Sequence, residues 1–312
     1  MSATAEPGDW IAVDWGTTRM RARLVSLNGD IRTEAPLGPG MGALDAGQYE
    51  PALVRAVEPW LNSLDGSIDV LVCGMAGART GWREAPYRPL PARLDGLLAH
   101  AVEPPVSDPR LRVRIVPGLC RMGDRPDVMR GEETQLLGLL ATEKLGDALV
   151  LMPGTHSKRV TLRDGTVIDF ATAMTGEVYA LLRGSTLAGA LGDGWYPAAF
   201  TMGLDRGLAG EALDRLFAHR AGFLLGETDA DENGAHLSGL LIGAELRALP
   251  PEPRVVHVVG EGALAERYGK ALRHLGREPV MHHGGRLAVA GLHAMRIESG
   301  PARDGWAGGG TS

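Results

Sequence analysis

The sequence predicts an α/β fold of two duplicated domains with mixed sheets flanking a cleft, and three observations carry that prediction. Its 312 residues, at about 150 per domain, divide into two. A strand–turn–strand unit occurs twice, one domain length apart. Glycine supplies 44 of the 312 residues, about twice the usual ~7%, without the short period of collagen. These glycines lie among apolar runs in a chain that is 44% hydrophobic, so they predict tight backbone turns and not low-complexity disorder.

The first element is the apolar run at 10–14, which ends in the carboxylate Asp14. Trp15-Gly16-Thr17-Thr18 follows, then the alternating strand 20–25 and the hairpin turn Asn28-Gly29. An amphipathic helix is predicted over 49–64, interrupted by Pro59, and then a buried strand over 68–73 that runs into Gly74-Met-Ala-Gly77. A helix opens near Gly131. The grammar of the first unit then returns: strand 148–152, the turn Pro153-Gly154-Thr155-His156-Ser157-Lys158, strand 159–162 and the turn Asp164-Gly165. Gly16 and Gly154 are 138 positions apart. From Gly154 to the strand end at Gly260 is 106 positions, against 58 from Gly16 to Gly74, so about 48 extra residues fall between 182 and 250. Helical patterns are read there around 211–220 and 236–248. Strand 254–259 leads into Gly260-Glu261-Gly262, a last helix covers 285–297, and 298–312 has the composition of a mobile tail. Glycines outside the turns named are read as loop and tail.

A net charge of −6 without any basic block argues against nucleic-acid or membrane-surface binding. Cys73 and Cys120 are too few and too far apart for a disulfide framework or a thiolate metal site. The first ten residues lack a basic start and an apolar segment, and no apolar run approaches the ~18 residues of a membrane span, so cytoplasm is the expected compartment.

A Gly-Thr turn between strands lets backbone N–H groups and a hydroxyl approach a phosphate. Gly16, Thr17 and Thr18 in the first copy, with Gly154, Thr155 and His156 in the second, are the candidate phosphate cradles, and Arg19 and Lys158 stand just beyond them to neutralise charge. Asp14 is placed to hold Mg²⁺ through waters, because magnesium favours a carboxylate plus substrate phosphates over a protein cage.

Asp14-Trp-Gly-Thr-Thr18 and Pro153-Gly-Thr155 resemble the two phosphate motifs of the sugar-kinase, actin and Hsp70 superfamily. Gly74-Met-Ala-Gly-Ala-Arg-Thr-Gly-Trp82, Ala85-Pro-Tyr87, Ile115-Val-Pro-Gly-Leu-Cys120, Val128-Met-Arg-Gly-Glu-Glu-Thr-Gln135, Met152-Pro-Gly-Thr-His156 and Met174-Thr-Gly-Glu177 resemble the 2-dehydro-3-deoxygalactonokinase family, in order over residues 9–297. That resemblance implies two actin-like (ribonuclease H-like) domains, 1–145 with the sugar-acid site and 146–297 with the adenosine site, the latter carrying a helical insertion about 190–250. It also implies phosphorylation of the 6-hydroxyl of 2-dehydro-3-deoxy-D-galactonate by ATP, in galactonate breakdown. A kinase of this fold for another sugar or sugar acid, such as 2-dehydro-3-deoxygluconate, is the alternative, and a non-catalytic ATP-binding sensor is the third reading.

Phosphoryl transfer needs positioning, charge neutralisation and a base near the acceptor hydroxyl. Glu132 or Glu133, at the helix opening, is the expected base, and the register between them stays open. A keto acid's carboxylate asks for an arginine. Arg130 and Arg79 are favoured for it, with Arg83 and Arg88 behind them, beside Gly77. Trp82 and Tyr87 are read with equal weight as sugar contacts or packing anchors. Gly260 and Gly262 are the expected adenine platform; they also fit a relaxed dinucleotide fingerprint, but too little chain follows for the two-half dinucleotide domain. His282 and His283, adjacent in an extended segment, should point apart. Expected partners are the sugar acid and ATP, with homodimerisation left open.

Overall fold

The computed structural model describes residues 4–298. Within that range the chain forms two compact units, one of residues up to Asp147 with 162–169 and everything from Gly284, the other of Ala148–Thr161 and Phe170–His283.

In the first unit β1 (Trp10–Trp15) and β2 (Arg19–Val25) pair antiparallel, Trp10 opposite Val25 and Trp15 opposite Met20. β3 (Ile31–Glu34) and the short β4 (Gly38–Pro39) both pair with β2. Helix α1 (Tyr49–Leu61) buries Tyr49, Leu53, Val57 and Trp60, a 4-4-3 spacing that makes one apolar stripe. Pro59 stands in its last turn, and the helix ends at Leu61, three residues before the expected end. β5 (Ile68–Gly74) runs parallel to β1, which sets Cys73 opposite Asp14. β6 (Arg88–Pro89), β7 (Ala92–Arg93), β8 (Leu111–Ile115), β9 (Leu119–Arg121) and β10 (Asp127–Met129) follow; β8 extends the main sheet parallel to β5, while β10, β9 and β6 make a small sheet of their own. Helix α2 (Glu132–Glu143) closes this stretch.

The second half of the sequence repeats the plan. β11 (Ala148–Met152), β12 (Ser157–Arg163) and β13 (Thr166–Ala173) come first, with Asp164 and Gly165 both at positive φ, as a tight two-residue hairpin requires. Helices α3 (Thr175–Arg183), α4 (Pro197–Leu208), α5 (Ala212–Leu225) and α6 (Ala230–Leu246) follow. Then come β14 (Val255–Val259), α7 (Gly262–His274) and β15 (Glu278–His282). The strand order β15-β14-β11-β12-β13 is that of β8-β5-β1-β2-β3, element for element. The surplus of the second half is α4, α5 and α6.

Helix α8 (Gly284–Glu298) packs on α2 and β1 in the first unit, although it follows the second half in sequence. Glu298, where the tail was expected to begin, accepts a hydrogen bond from the Gly96 N–H, and 299–312 lie outside the described residues.

The glycines outside the turns are not all loop and tail. A Cβ on Gly138 of α2 would lie 2.0 Å from the Leu287 carbonyl of α8, and one on Gly291 would lie 1.9 Å from that of Thr134. On α4 and α6, Gly203 and Gly207 face the carbonyls of His236 and Leu240, while Gly239 and Gly243 face those of Phe200 and Leu204. Each unit therefore has a helix pair in backbone contact, which only a residue without a side chain permits. No helix among the described residues is long and apolar enough to cross a membrane.

Candidate active site

Asp14 stands at the end of β1, half-buried, with the Arg21 guanidinium 3.8 Å away. The turn after it is closed by the Gly16 N–H donating to the Arg19 carbonyl. It is held from the other side by the Gly42 N–H on the Thr17 carbonyl and the Met41 N–H on that of Gly16. Gly40 lies so close that a Cβ there would sit 2.3 Å from the Thr18 carbonyl carbon. Arg19 is exposed beside this turn.

Gly131, at φ +104, turns the chain into α2, a conformation that strains any other residue. Its neighbours use the helix N-terminus, whose unpaired N–H groups and dipole favour carboxylates. Glu132 accepts from the Arg130 N–H at 2.9 Å. Glu133 accepts from the Gly131 N–H at 2.7 Å and from the Thr134 hydroxyl at 2.9 Å. Glu133 is fully buried, and desolvation, then the charge of Glu132, pushes its carboxyl up to about 7. The buried Cys73 thiol is likewise pushed well up, by desolvation first and then by the charges of Asp14 and Glu133. Those two carboxylates thus share one neighbour.

Arg130 is only 9% exposed. One Nη donates to the Ala85 carbonyl at 2.7 Å, but Nε and Nη1 are buried without a partner. Its guanidinium lies 4.2 Å over the ring of Tyr87, which is exposed at the surface. Gly77 makes room for it, since a Cβ there would come within 2.8 Å of Nη1. Trp82 is instead buried against Trp15 and Tyr49, their ring centroids 6.0 and 6.1 Å away, which is a packing position. Arg79, Arg83 and Arg88 are exposed.

In the second unit the turn after β11 leaves Gly154 open: a Cβ would meet nothing within 4 Å. Neither Gly16 nor Gly154 is among the positive-φ glycines, so the turns need glycine for access and not for conformation. Beyond Thr155, His156 meets Glu177 at 2.5 Å, and Lys158 is buried with its ammonium on the His156 carbonyl at 3.3 Å. Gly260 lies next to Pro153, and Gly262, at φ +65, opens α7. His282 pairs with His257 at 2.9 Å while His283 reaches Glu261 at 3.0 Å, so the adjacent histidines point apart as expected.

One group of residues had escaped the sequence reading. Glu245 of α6 accepts from the Tyr268 hydroxyl at 2.5 Å and from the Thr175 hydroxyl. The Tyr268 hydroxyl is 2.9 Å from that of Ser157, which accepts from the Gly154 N–H at 3.4 Å. Gly176, one residue beyond Thr175, packs on the Gly154 carbonyl. A single carboxylate therefore braces the turn along two arms. Burial raises the Glu245 carboxyl, yet its two hydroxyl partners favour the charged form. The signal was a lone carboxylate in the apolar run 240–246, which a glance takes for a helix-surface charge.

Asp14, Gly16 to Arg19, Arg130, Glu132 and Glu133 are thus held in the first unit, and Gly154 to Lys158 with Gly260 and Gly262 in the second. Residues 14–295 match the family model described as 2-keto-3-deoxy-galactonokinase. A protein of Rhizobium meliloti described as a probable 2-dehydro-3-deoxygalactonokinase is 40% identical over 92% of this chain and 96% of its own. The Escherichia coli 2-dehydro-3-deoxygalactonokinase is 35% identical over 92% and 97%. A solved Sinorhizobium meliloti structure, provisionally given the same description, superposes with a TM-score of 0.86 at 36% identity, over 95% of this chain and 99% of that one. Component A of the Acidaminococcus fermentans (R)-2-hydroxyglutaryl-CoA dehydratase, at TM-score 0.50 and 12% identity over 93% and 99%, shares the fold alone. The architecture is the two-domain, actin-like fold of sugar-kinase ATPases.

Proposed function

This chain belongs to the 2-keto-3-deoxy-galactonokinase family, and from that premise we propose that it transfers the γ-phosphoryl group of ATP to the 6-hydroxyl of 2-dehydro-3-deoxy-D-galactonate. The observation that carries the substrate side is Arg130. A buried guanidinium with two unpaired nitrogens costs several kcal/mol unless an anion meets it, and a 2-keto acid brings a carboxylate. Tyr87 lies against the same guanidinium and borders that subsite, and the exposed Arg79 is the second candidate for the carboxylate.

Glu132 is the base in this reading. It is partly exposed, where Glu133 is sealed from solvent and engaged by two donors. Its carboxylate takes the hydroxyl proton as the substrate oxygen bonds to the γ-phosphorus and the bond to the ADP oxygen breaks. Glu133, poised near 7 and able to hold a proton, relieves the repulsion that a second full charge would place on Glu132. The backbone at Gly154 and Thr155, with His156 and Lys158, receives phosphate oxygens, as do Gly16, Thr17, Thr18 and Arg19; Gly260 and Gly262 border the adenosine. Asp14, a half-buried carboxylate outside any cluster of three metal-ligating side chains among the described residues, would hold a magnesium ion, which would neutralise charge on the phosphates. Cytoplasm, where ATP and sugar acids meet, is the proposed compartment.

The test is ADP release from Mg-ATP with a panel of aldonates, ketoses and both the galactonate- and gluconate-derived 3-deoxy-2-keto acids. Highest kcat/KM is expected for the galactonate isomer. Arg130→Met should raise KM for the keto acid about 10²-fold, the worth of one or two charged hydrogen bonds, with KM for ATP unchanged. No turnover with any acid overturns the reading, and full activity in Glu132→Gln removes Glu132 from the base position.

A further inference from the structure

Helix α5 buries only one side chain, His219. Five of its large apolar residues stand in solvent: Leu213 at 84%, Phe217 at 68%, Phe223 at 40%, Leu224 at 66% and Leu225 at 72%. At 100° per residue, Leu213, Phe217, Arg220 and Leu224 fall in one strip some 60° wide, on the side opposite His219. The Arg220 guanidinium folds back onto the Thr186 carbonyl, leaving its methylene stem along the strip. Met202 of α4 is also exposed, and with Ala218 and His219 it lines the hollow behind α5.

A monomer seldom leaves so much apolar surface uncovered. The three apolar side chains of the strip expose roughly 400 Å², a large patch for a soluble surface and about half of the ~800 Å² that each partner of a standard interface buries. The spacing names the partner. Positions 213, 217, 220 and 224 are separated by 4, 3 and 4 residues, which reads the same in both directions. A twofold axis between residues 218 and 219 therefore lays Leu213 on the partner's Leu224 and Phe217 along the methylene stem of the partner's Arg220. A lipid surface would ask for a basic rim, whereas Arg215 is tied to Glu211 at 2.9 Å and Asp214 stands beside it. We propose that α5 is an isologous dimer interface, packing antiparallel on α5 of a second copy of this chain.

Sedimentation equilibrium on the full chain at micromolar concentration tests the pairing, and none of these positions belongs to the proposed kinase machinery. Twice the chain mass is expected for the wild type, and monomer for Phe217→Asp with its circular dichroism unchanged. A wild-type monomer, or a Phe217→Asp dimer of unaltered affinity, overturns the proposal. The register has its own test. Leu213→Glu and Leu224→Lys should each weaken the dimer at least 100-fold, and the two combined in one chain should recover it, because each glutamate then meets a lysine across the axis. A double variant as weak as the single ones overturns the antiparallel register.

Discussion

Glu133 carries a charge problem that its surroundings solve only below neutral pH. Its carboxyl holds a proton up to about pH 7 in the folded chain, against a reference of 4.5. Between those values the folded state binds the extra proton, so stability is lost as pH rises through the window, by ~3 kcal/mol at 1.4 kcal/mol per unit. Glu133→Gln keeps the geometry, with its amide oxygen on the Gly131 N–H and its NH₂ on the Thr134 oxygen, and it has nothing to titrate. The variant's advantage over the wild type in chemical denaturation should therefore grow by about that amount from pH 5 to pH 8; parallel curves refute the assignment. At this scale the sequence was partly legible. It named Glu132 and Glu133 as a pair but could not rank them, because burial, which separates them, depends on what packs over the helix start. Arg130 was chosen for its neighbours in sequence, while its missing partners are visible only in three dimensions.

Among the elements, α2 and α8 show why a glycine count can mislead. Both helices are periodic enough to be read from the sequence, yet nothing local announces that Gly138 and Gly291, 153 positions apart, form a backbone crossing between them. Pairing is a property of two distant segments, and helical propensity speaks for one at a time. Gly291→Ala should force α8 away from Thr134, costing about 1–3 kcal/mol in thermal or denaturant unfolding despite alanine's better propensity. Because Thr134 adjoins Glu133, kcat should fall as well. A variant as stable and active as the wild type would mean that the crossing yields without strain.

For the whole molecule, the repeat was the most legible feature. Gly-Thr turns 138 residues apart foretold two sheets with the same strand order. The extra helices lie between the third strand and the fourth of the second half, and an insertion of that kind shows up in sequence as a length difference. The position of α8 was hidden, because chain order alone assigns it to the half it follows. The proposed division of labour between the units gives a molecular prediction. Glu245→Gln, which breaks the bracing of Gly154 in the second unit, should raise KM for ATP about tenfold and leave KM for the keto acid within twofold, the reverse of Arg130→Met. Equal effects on both substrates would contradict that division.

Cys73 gives this chain a reporter that needs no engineering. It is buried opposite Asp14 with its thiol held protonated, while Cys120, the other cysteine, is partly open. A thiol reagent should therefore alkylate Cys120 promptly and Cys73 only when the strands around it part. The slow phase of labelling becomes a clock for how often the first unit opens at the corner proposed as catalytic, and the sugar acid, bound where we propose, should slow that clock.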